Sequence, residues 1–417
     1  MALRRYALVG AGARAGMFIR ALTEDHADVA RLVALADTNP ARAAAHGVDV
    51  PIYPAADVAG MLRRERVDVV LVTTVDRYHA DYVVAAMEAG CDAVTEKPMA
   101  VDAASARQIL ISSEKTGQKA RVAFNYRYHP LHEAVKTIIA GGEIGEVGSV
   151  HVEWLLDVRH GADYFRRWHR EKENSGGLLV HKAGHHFDLV NWWLDDSPSQ
   201  VFAAGRLFFY GENGRRHGYA RDYDRAHGAP AAEGDPFALR PADEPRLREL
   251  YLETERHDGY LRDRNVFAPG VTIEDDMAVL VRYAGGASMS YHLTAYAPWE
   301  GYRVMVNGSR GRLELEVVKN DHVAPGAPGS TRLLLRPFWA PPREIPVGGS
   351  SRRGHADADD RMLADLIRPD APPDPLGRTA DARDGARALL TGLAANESLA
   401  SGQAVRVKDL LDLEEIV

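Results

Sequence analysis

The stretch RRYALVGAGARAGMFIRAL, residues 4–22, decides the fold of this chain. The apolar run from Tyr6 to Val9 predicts a buried strand, and a helical pattern follows the glycine-rich turn that starts at Gly10. Glycine at the second position lets the backbone approach a diphosphate, which the N–H groups at the start of the helix can bind. Alanine replaces the third glycine of the strict pattern, a change that the contact between helix and strand tolerates. The turn residues that we predict to bind a dinucleotide are Gly10, Gly12, Ala13, Arg14 and Ala15.

The second strand favours a dinucleotide site over the alternative of a glycine-rich turn in an unrelated α/β protein. The run RLVALAD, residues 31–37, ends in Asp37, about twenty residues after the turn, where a ribose-binding acid belongs. A carboxylate there binds the ribose 2′-hydroxyl and repels a 2′-phosphate, so the sequence predicts NAD rather than NADP. Arg42 follows closely in the sequence and keeps the use of NADP open.

Strands and helices continue to alternate through residue 125. Strand patterns at 67–75, 91–98 and 119–125 are separated by helical patterns at 77–90 and 103–118. This order predicts a doubly wound parallel sheet, whose ligands bind beyond the carboxyl ends of the strands. Further coenzyme-binding candidates lie at or near those ends, namely Thr73, Thr74, His79, Glu96, Lys97 and Asn125.

Length and charge limit the classes of function that remain open. A chain of 417 residues is too long for one ordinary core, so we expect two domains. The net charge of -8 argues against a general nucleic-acid binder. No apolar run approaches the roughly 20 residues needed to span a bilayer, so we expect no membrane partner. The single cysteine, Cys91, cannot form an internal disulfide, and a cytoplasmic location is the simple expectation.

Two further motifs carry a resemblance to a known family. Glu96-Lys97-Pro98 follows the fifth predicted strand, and NYRYHP occupies residues 125–130. Together with the glycine turn and Asp37, they make the chain resemble the glucose–fructose oxidoreductase / inositol dehydrogenase (Gfo/Idh/MocA) family. The resemblance implies a nucleotide-binding domain over residues 1–124 and a second α/β domain over 125–417 with a large, mostly antiparallel open sheet. It also implies a homo-oligomer assembled through that sheet, and it carries the family's catalytic lysine onto Lys97.

The stretch GGLLVHKAGHHFDLV, residues 176–190, concentrates histidines. The family has aspartate, histidine and aspartate at the positions that correspond to His181, His185 and Asp188, so His181 departs from the pattern. Residues four apart face the same side of a helix, so we expect His181 and His185 to point together at the substrate. A zinc pair is the alternative, but no third ligand is evident and we predict no metal site. Surface polar residues at a helix start would explain His186 and, by the same argument, Lys182.

The chemistry that these residues suit is hydride transfer between a secondary hydroxyl and NAD. Histidine titrates near neutral pH and can take the hydroxyl proton, while an ammonium group stabilises the developing alkoxide. We predict that His185 is the base and that Lys97 is its electrostatic and proton-relay partner. Because His181 replaces the family's aspartate, His181 is the alternative base.

A sugar or glycoside is the substrate that the composition of residues 153–177 favours, because this segment combines aromatic rings with many hydrogen-bond donors. A structural loop with surface arginines is the alternative. A polar insertion at about 210–270 is predicted as a lid or an oligomer contact, and a second insertion, rich in proline and glycine, lies at about 322–360. The predicted substrate-binding residues are Tyr126, Arg127, His160, Tyr164, Trp168, His181, Lys182 and His292.

These predictions lead to an NAD-dependent oxidoreductase that converts a ring hydroxyl of a sugar or glycoside to a ketone. Two alternatives stay open. In the first, oxidation is transient, elimination breaks a glycosidic bond, and the coenzyme is reduced back. In the second, the chain is a sensor that binds the nucleotide without catalysis, because fold alone does not guarantee activity.

Overall fold

The computed structural model of the chain describes residues 3–323, 328–346 and 355–416. Its strands are β1 (Arg4–Val9), β2 (Ala30–Asp37), β3 (Ile52–Pro54), β4 (Val69–Val72), β5 (Asp92–Thr95), β6 (Ala120–Val122), β7 (Val147–Asp157), β8 (Pro198–Arg206), β9 (Asp276–Tyr283), β10 (Ser288–Ala297), β11 (Glu300–Gly308), β12 (Gly311–Asn320), β13 (Ser330–Pro337), β14 (Arg343–Glu344), β15 (Ala380–Asp381) and β16 (Val405–Arg406). Its α-helices are α1 (Ala15–Arg20), α2 (Pro40–Ala44), α3 (Val58–Arg64), α4 (His79–Glu88), α5 (Ala103–Thr116), α6 (Pro130–Ala140), α7 (Val158–Arg166), α8 (Lys172–Ser175), α9 (Leu178–His181), α10 (Gly184–Leu194), α11 (Pro245–Leu247), α12 (His355–Ile367) and α13 (Ala382–Ser401).

The first sheet has seven strands in the order β15-β6-β5-β4-β1-β2-β3. Its first six strands in the chain pair in parallel, and β15 adds antiparallel to β6 at one edge. Every residue of β4 is buried, as expected where helices cover both faces of a parallel sheet. The predicted doubly wound sheet is therefore confirmed.

The second sheet has nine strands in the order β14-β13-β12-β11-β7-β10-β9-β8-β16. Only the pair of β7 with β10 is parallel within this sheet, so the predicted large, mostly antiparallel sheet is confirmed. Burial alternates along β9, which is typical of a sheet that packs one face on helices and leaves the other open. The covered face packs against α7 and α13.

The C-terminal part of the chain returns to the first sheet. Met362 and Leu363 of α12 are buried in one core with Tyr6 and Phe18 of the N-terminal domain. Strand β15 then extends the first sheet beside β6. Elements from residue 355 to residue 381 thus pack on the nucleotide-binding side, which the division at residues 124 and 125 did not anticipate.

The segment at 210–270 is ordered and lies against the N-terminal domain. It consists of short helical turns, among them Arg248–Leu252 and Glu255–His257. Asn39 Nδ2 donates to the carbonyl of Thr254 at 3.0 Å, and Arg42 pairs with Asp258 at 2.6 Å. These contacts lie next to the end of β2, so the segment covers part of the nucleotide-binding cleft. We name residues 210–270 the lid. The other predicted insertion, 322–360, lies partly outside the described residues.

The helices of the described ranges include none that is long and apolar enough to cross a membrane.

Candidate active site

The turn after β1 accepts only glycine at its first position. Gly10 has a φ of +96°, and a Cβ atom there would lie 2.6 Å from the backbone nitrogen of Thr74. The hydroxyl of Thr73 donates to the carbonyl of Gly10 at 2.5 Å and fixes the turn to the end of β4. The glycine turn predicted from the sequence therefore packs against the first polar residues after β4.

The N-terminus of α1 carries contacts that the sequence did not predict. The N–H of Ala13 donates to the hydroxyl of Tyr251 at 2.9 Å, so the 210–270 segment reaches the start of α1. Arg14 Nε donates to Glu96 at 2.5 Å, and its other nitrogens form a two-point contact with Asp359 of α12. Arg14 thereby joins the glycine turn to the loop after β5.

Asp37 ends β2 as predicted, and its carboxylate is held by the backbone. It accepts the N–H groups of Ala11 and Asn39, each at 2.6 Å. The Arg42 guanidinium lies 3.8 Å from the same carboxylate. A glycine cradle, a helix N-terminus and a fixed carboxylate are the donor and acceptor set that a dinucleotide needs, so these residues fit NAD. A diphosphate that binds the N–H of Ala13 has to displace the Tyr251 hydroxyl or share that N–H with it.

The side chains of His79 and Asn125 form hydrogen bonds with other parts of the protein beside the cleft. The two ring nitrogens of His79 face the carbonyls of Pro98 and Thr74 at 2.7 Å and 3.2 Å. Both are thus engaged with the protein backbone, which places His79 beneath the loop that contains Lys97. Asn125 Nδ2 donates to Asp359 at 2.8 Å.

A row of three titratable groups crosses the cleft between the two sheets. Asp76 follows β4, Lys97 follows β5, and His181 ends α9. His181 Nδ1 lies 2.5 Å from the Asp76 carboxylate, and His181 Nε2 lies 3.2 Å from Lys97 Nζ. Lys97 Nζ also donates to the carbonyl of His181 at 3.2 Å. We name this row, Asp76–His181–Lys97, the proton row.

Burial sets the charges of the proton row. It lowers the pKa of Lys97 to about 8, while the Asp76 and Glu96 carboxylates oppose that shift. Burial also lowers the pKa of His181 well below its usual value, and the Lys97 ammonium lowers it further. His181 is therefore neutral at neutral pH. With Lys97 donating to Nε2, the network assigns the ring hydrogen to Nδ1, which donates to Asp76.

His185 and His186 belong to a stack of aromatic rings. His185 lies with its ring centroid 4.4 Å from that of Tyr126, and His186 lies 3.6 Å from Trp154. Trp154 in turn stacks on Tyr302 at 4.1 Å. We name these five side chains the ring stack. His186 is 2 % exposed and bonds to Tyr291, so it is a core residue rather than a surface polar group.

The turn that joins α9 to α10 is wider than a regular α-helical turn, and it lies between His181 and His185. The N–H of Ala183 bonds to the carbonyl of Leu178, five residues back instead of four. The extra residue in this turn rotates the start of α10 relative to α9, so the four-residue rule of a regular α-helix does not apply here. His181 consequently contacts Lys97, whereas His185 contacts Tyr126.

Several predicted substrate-binding residues gather beside the proton row. The Tyr164 ring lies 5.7 Å and the Trp168 ring 6.0 Å from that of His181. Tyr164 reaches His160 at 3.4 Å. Lys182 is 5 % exposed and donates to the hydroxyl of Tyr126 at 3.3 Å.

Two predicted substrate residues lie elsewhere. Arg127 is 2 % exposed and pairs with Asp188 at 2.6 Å and 2.9 Å, so it joins helices inside the second domain instead of lining the cleft. His292 bonds to Asp276 on the side of β10 opposite to the buried Tyr291. Because successive strand residues face opposite sides, His292 lies on the open face of the second sheet.

The structure adds polar residues that sequence reasoning missed: Asp76, Glu300, Arg262 and Tyr251. Asp76 could have been found, since it lies closer to the end of β4 than the candidate His79. The lid residues Tyr251 and Arg262 carry no such signal, because nothing in a polar insertion tells which side chain turns inward. Within the described ranges, no group of three or more His, Cys, Asp and Glu residues is placed to hold a metal ion.

Comparison with known proteins agrees with this architecture. Residues 4–124 match the sequence model of an oxidoreductase family with an NAD-binding Rossmann fold, and residues 136–332 match that family's C-terminal alpha/beta domain. The chain belongs to the Gfo/Idh/MocA oxidoreductase family. It is 33 % identical over 437 aligned positions to YteT of Bacillus subtilis (strain 168), a protein whose oxidoreductase name is provisional, and the match covers 99 % of this chain and all of YteT.

Two other members of the Gfo/Idh/MocA family show how far the likeness extends. Inositol 2-dehydrogenase of Rhizobium meliloti (strain 1021) is 33 % identical over 53 % of this chain and 62 % of its own length. The crystal structure of the WlbA dehydrogenase from Bordetella pertussis, in complex with NADH and UDP-GlcNAcA, has a TM-score of 0.67 at 20 % identity. That match covers 97 % of this chain and 99 % of WlbA, and it supports the fold.

Proposed function

We propose that the protein oxidises a secondary hydroxyl of a sugar or glycoside to a ketone with NAD as hydride acceptor. The proton row carries this proposal, because it sets an ammonium of lowered pKa and a neutral imidazole at the mouth of a dinucleotide site. The inositol dehydrogenase among the relatives acts on a cyclic polyol, which supports a polyhydroxylated substrate.

The reaction separates a hydride from a proton. NAD, when bound, accepts the hydride from the carbinol carbon. Lys97 in its neutral form takes the hydroxyl proton, and the alkoxide that develops is stabilised by the ammonium that results. His181 Nε2, 3.2 Å away, accepts a hydrogen bond from Lys97 Nζ and orients it, while Asp76 holds the His181 ring through Nδ1–H. The alternative is that His185, instead of Lys97, takes the hydroxyl proton.

We propose NAD over NADP because of Asp37. Its buried carboxylate at the end of β2 disfavours a 2′-phosphate. Asp37→Ala should lower the preference for NAD over NADP, measured as the ratio of the two kcat/KM values. Asp49→Ala, which removes an exposed carboxylate, is the matched control. An unchanged ratio in Asp37→Ala would mean that another residue reads the ribose.

We also propose that copies of the chain assemble through the open face of the second sheet. Phe202 of β8 and Leu280 of β9 pair across that face and are 41 % and 58 % exposed, which supports an apolar contact. Light scattering of Leu280→Glu should then give a smaller mass than the unmodified protein. The buried single thiol, Cys91, is consistent with the cytoplasmic location that we propose.

A single-turnover assay tests the proposed function. The protein is loaded with NAD and mixed with a panel of cyclic polyols, sugars and glycosides while reduced-nicotinamide absorbance is followed and products are weighed by mass spectrometry. A stoichiometric rise with a product two hydrogens lighter is the expected result. Bond cleavage without a lasting rise would favour transient oxidation. Bound NAD and no reaction with any substrate would favour the sensor.

A further inference from the structure

Lys182 is a buried cation next to the proton row. Its Nζ has one hydrogen-bond partner among the described residues, the Tyr126 hydroxyl at 3.3 Å. Burial lowers the pKa of Lys182, but Tyr126, Tyr164 and the more distant Glu300 carboxylate raise it overall, so Lys182 is charged. The two oxygens of Glu300 bond to His160 at 2.9 Å and Lys319 at 3.0 Å, not to Lys182. Burying an ammonium without a carboxylate at bonding distance is costly, and a ligand anion would offset that cost.

A second surplus of positive charge lies on the lid side of the same cleft. Asp163 is approached by three guanidinium groups, those of Arg262 at 2.8 Å, Arg167 at 3.2 Å and Arg166 at 4.0 Å. One carboxylate cannot neutralise three arginines, which stay charged at all pH values of interest. The Arg167 side chain keeps 26 % of its surface accessible and bonds only to Asp163 among the described residues.

Both surpluses of positive charge lie close to His181. Burial is the main cause of the lowered pKa of His181, and two more cations, Arg167 and Lys182, add to it. The Tyr164 ring lies 5.9 Å from the Arg167 guanidinium and 5.7 Å from the His181 ring, and Lys182 follows His181 directly in the chain. Both cations therefore act on the space in front of His181 where the substrate would bind.

We propose that the sugar which the protein oxidises carries a carboxylate, as in a uronic acid, and that Lys182 and Arg167 bind this group. The inference rests on the proposed function, because it concerns the substrate of that same site. Charge-assisted hydrogen bonds are about twice as strong as neutral ones, so the carboxylate gives selectivity as well as affinity. A neutral sugar would leave Lys182 without an anion at bonding distance and would leave Arg167 sharing Asp163 with two other arginines.

Matched substrate pairs test the proposal. Methyl galactosiduronate is compared with methyl galactoside, and methyl glucosiduronate with methyl glucoside. Binding to the NAD-loaded protein is measured by calorimetry and turnover by NADH absorbance. We expect at least one uronide to bind about 10- to 100-fold more tightly than its neutral partner. Equal or absent binding within both pairs would overturn the proposal.

Variants locate the anion site. In Lys182→Met and in Arg167→Gln the uronide preference should fall, by about tenfold or more for the buried lysine, and Lys182→Arg should keep most of it. Lys172→Met is the control, because it removes an ammonium of the same segment whose charge Glu274 already pairs. Melting temperatures show whether each variant folds. A preference that survives both Lys182→Met and Arg167→Gln would refute the assignment.

Two further measurements distinguish this proposal from a coenzyme-binding role of the cations and from the proposed oxidation. NAD affinity is measured for every variant, and an equal loss for NAD and for the uronide would mean that the cations serve the coenzyme diphosphate instead. A uronide that binds without NADH formation would leave the anion site standing and refute the proposed oxidation. A neutral sugar that is oxidised as fast as its uronide would refute the anion site and leave the proposed oxidation standing.

Discussion

His181 and His185 are both 7 % exposed and lie on consecutive helices, yet their surroundings differ. His181 is bonded to a carboxylate on one ring nitrogen and faces an ammonium on the other. His185 lies flat against Tyr126 in the ring stack. The comparison teaches that residue type and burial do not define a catalytic histidine, because its neighbours decide which protons it can exchange.

The largest expected effect comes from the row. Lys97→Met removes the group that we propose as proton acceptor, so kcat should fall by about 1,000- to 10,000-fold. NAD binding should be retained, because the glycine turn and Asp37 are unchanged. Stopped-flow absorbance gives kcat, and coenzyme fluorescence gives affinity. Turnover within tenfold of the unmodified protein would remove Lys97 from the chemistry.

A change in the stack should act on stability instead. Trp154 is 1 % exposed and packs between His186 and Tyr302. Trp154→Ala should lower the free energy of unfolding by about 3–5 kcal/mol because it leaves a large cavity. Urea denaturation measures this loss. Trp339→Ala is the control, since that side chain is 96 % exposed and should change stability little. A loss of similar size in both variants would contradict the stack as a core element.

The pH dependence distinguishes the row from the stack without a substitution. Lys97 has to be neutral to accept a proton, and its pKa is lowered to about 8 by burial against the pull of Asp76 and Glu96. Lys182 and Arg14 also face it and lower its pKa. Oxidation should therefore rise about tenfold per pH unit below 8 and level off above it. A profile of kcat/KM that is flat from pH 6 to 9 would contradict this.

The smallest effect belongs to the lid. Tyr251→Phe removes the hydroxyl that accepts from Ala13, which competes with a diphosphate for the same N–H. NAD should bind a few-fold more tightly, since about 1 kcal/mol of competing hydrogen bond is lost. Fluorescence titration measures the change, and Tyr260→Phe in the same lid is the control. Weaker NAD binding in Tyr251→Phe would mean that the hydroxyl contacts the coenzyme directly.

Local patterns predicted most of the fold. The run of apolar strands and the glycine turn led to the doubly wound sheet, because buried parallel strands have a composition that few other structures share. The return of α12 and β15 to the first sheet was not predicted, because pairing of Ala380 with Val122 is set by tertiary contact and not by local pattern.

The site was predicted less completely for a physical reason. Glu96, Lys97 and His181 could be found because they follow strands or a glycine pair. Arg127 was misplaced, since a buried ion pair with Asp188 and a ligand contact look the same in sequence. The widened turn at Ala183, between His181 and His185, could not be predicted from the spacing of residues.

We propose above all that the histidine of the row, rather than that of the stack, assists Lys97 in accepting the substrate proton. The most direct test of this proposal is the single-turnover rate of hydride transfer in His181→Asn and His185→Asn, with the same NAD and substrate. We predict a loss of about 100- to 1,000-fold for His181→Asn and of less than about tenfold for His185→Asn. The reverse order would assign the base to His185 and contradict the account.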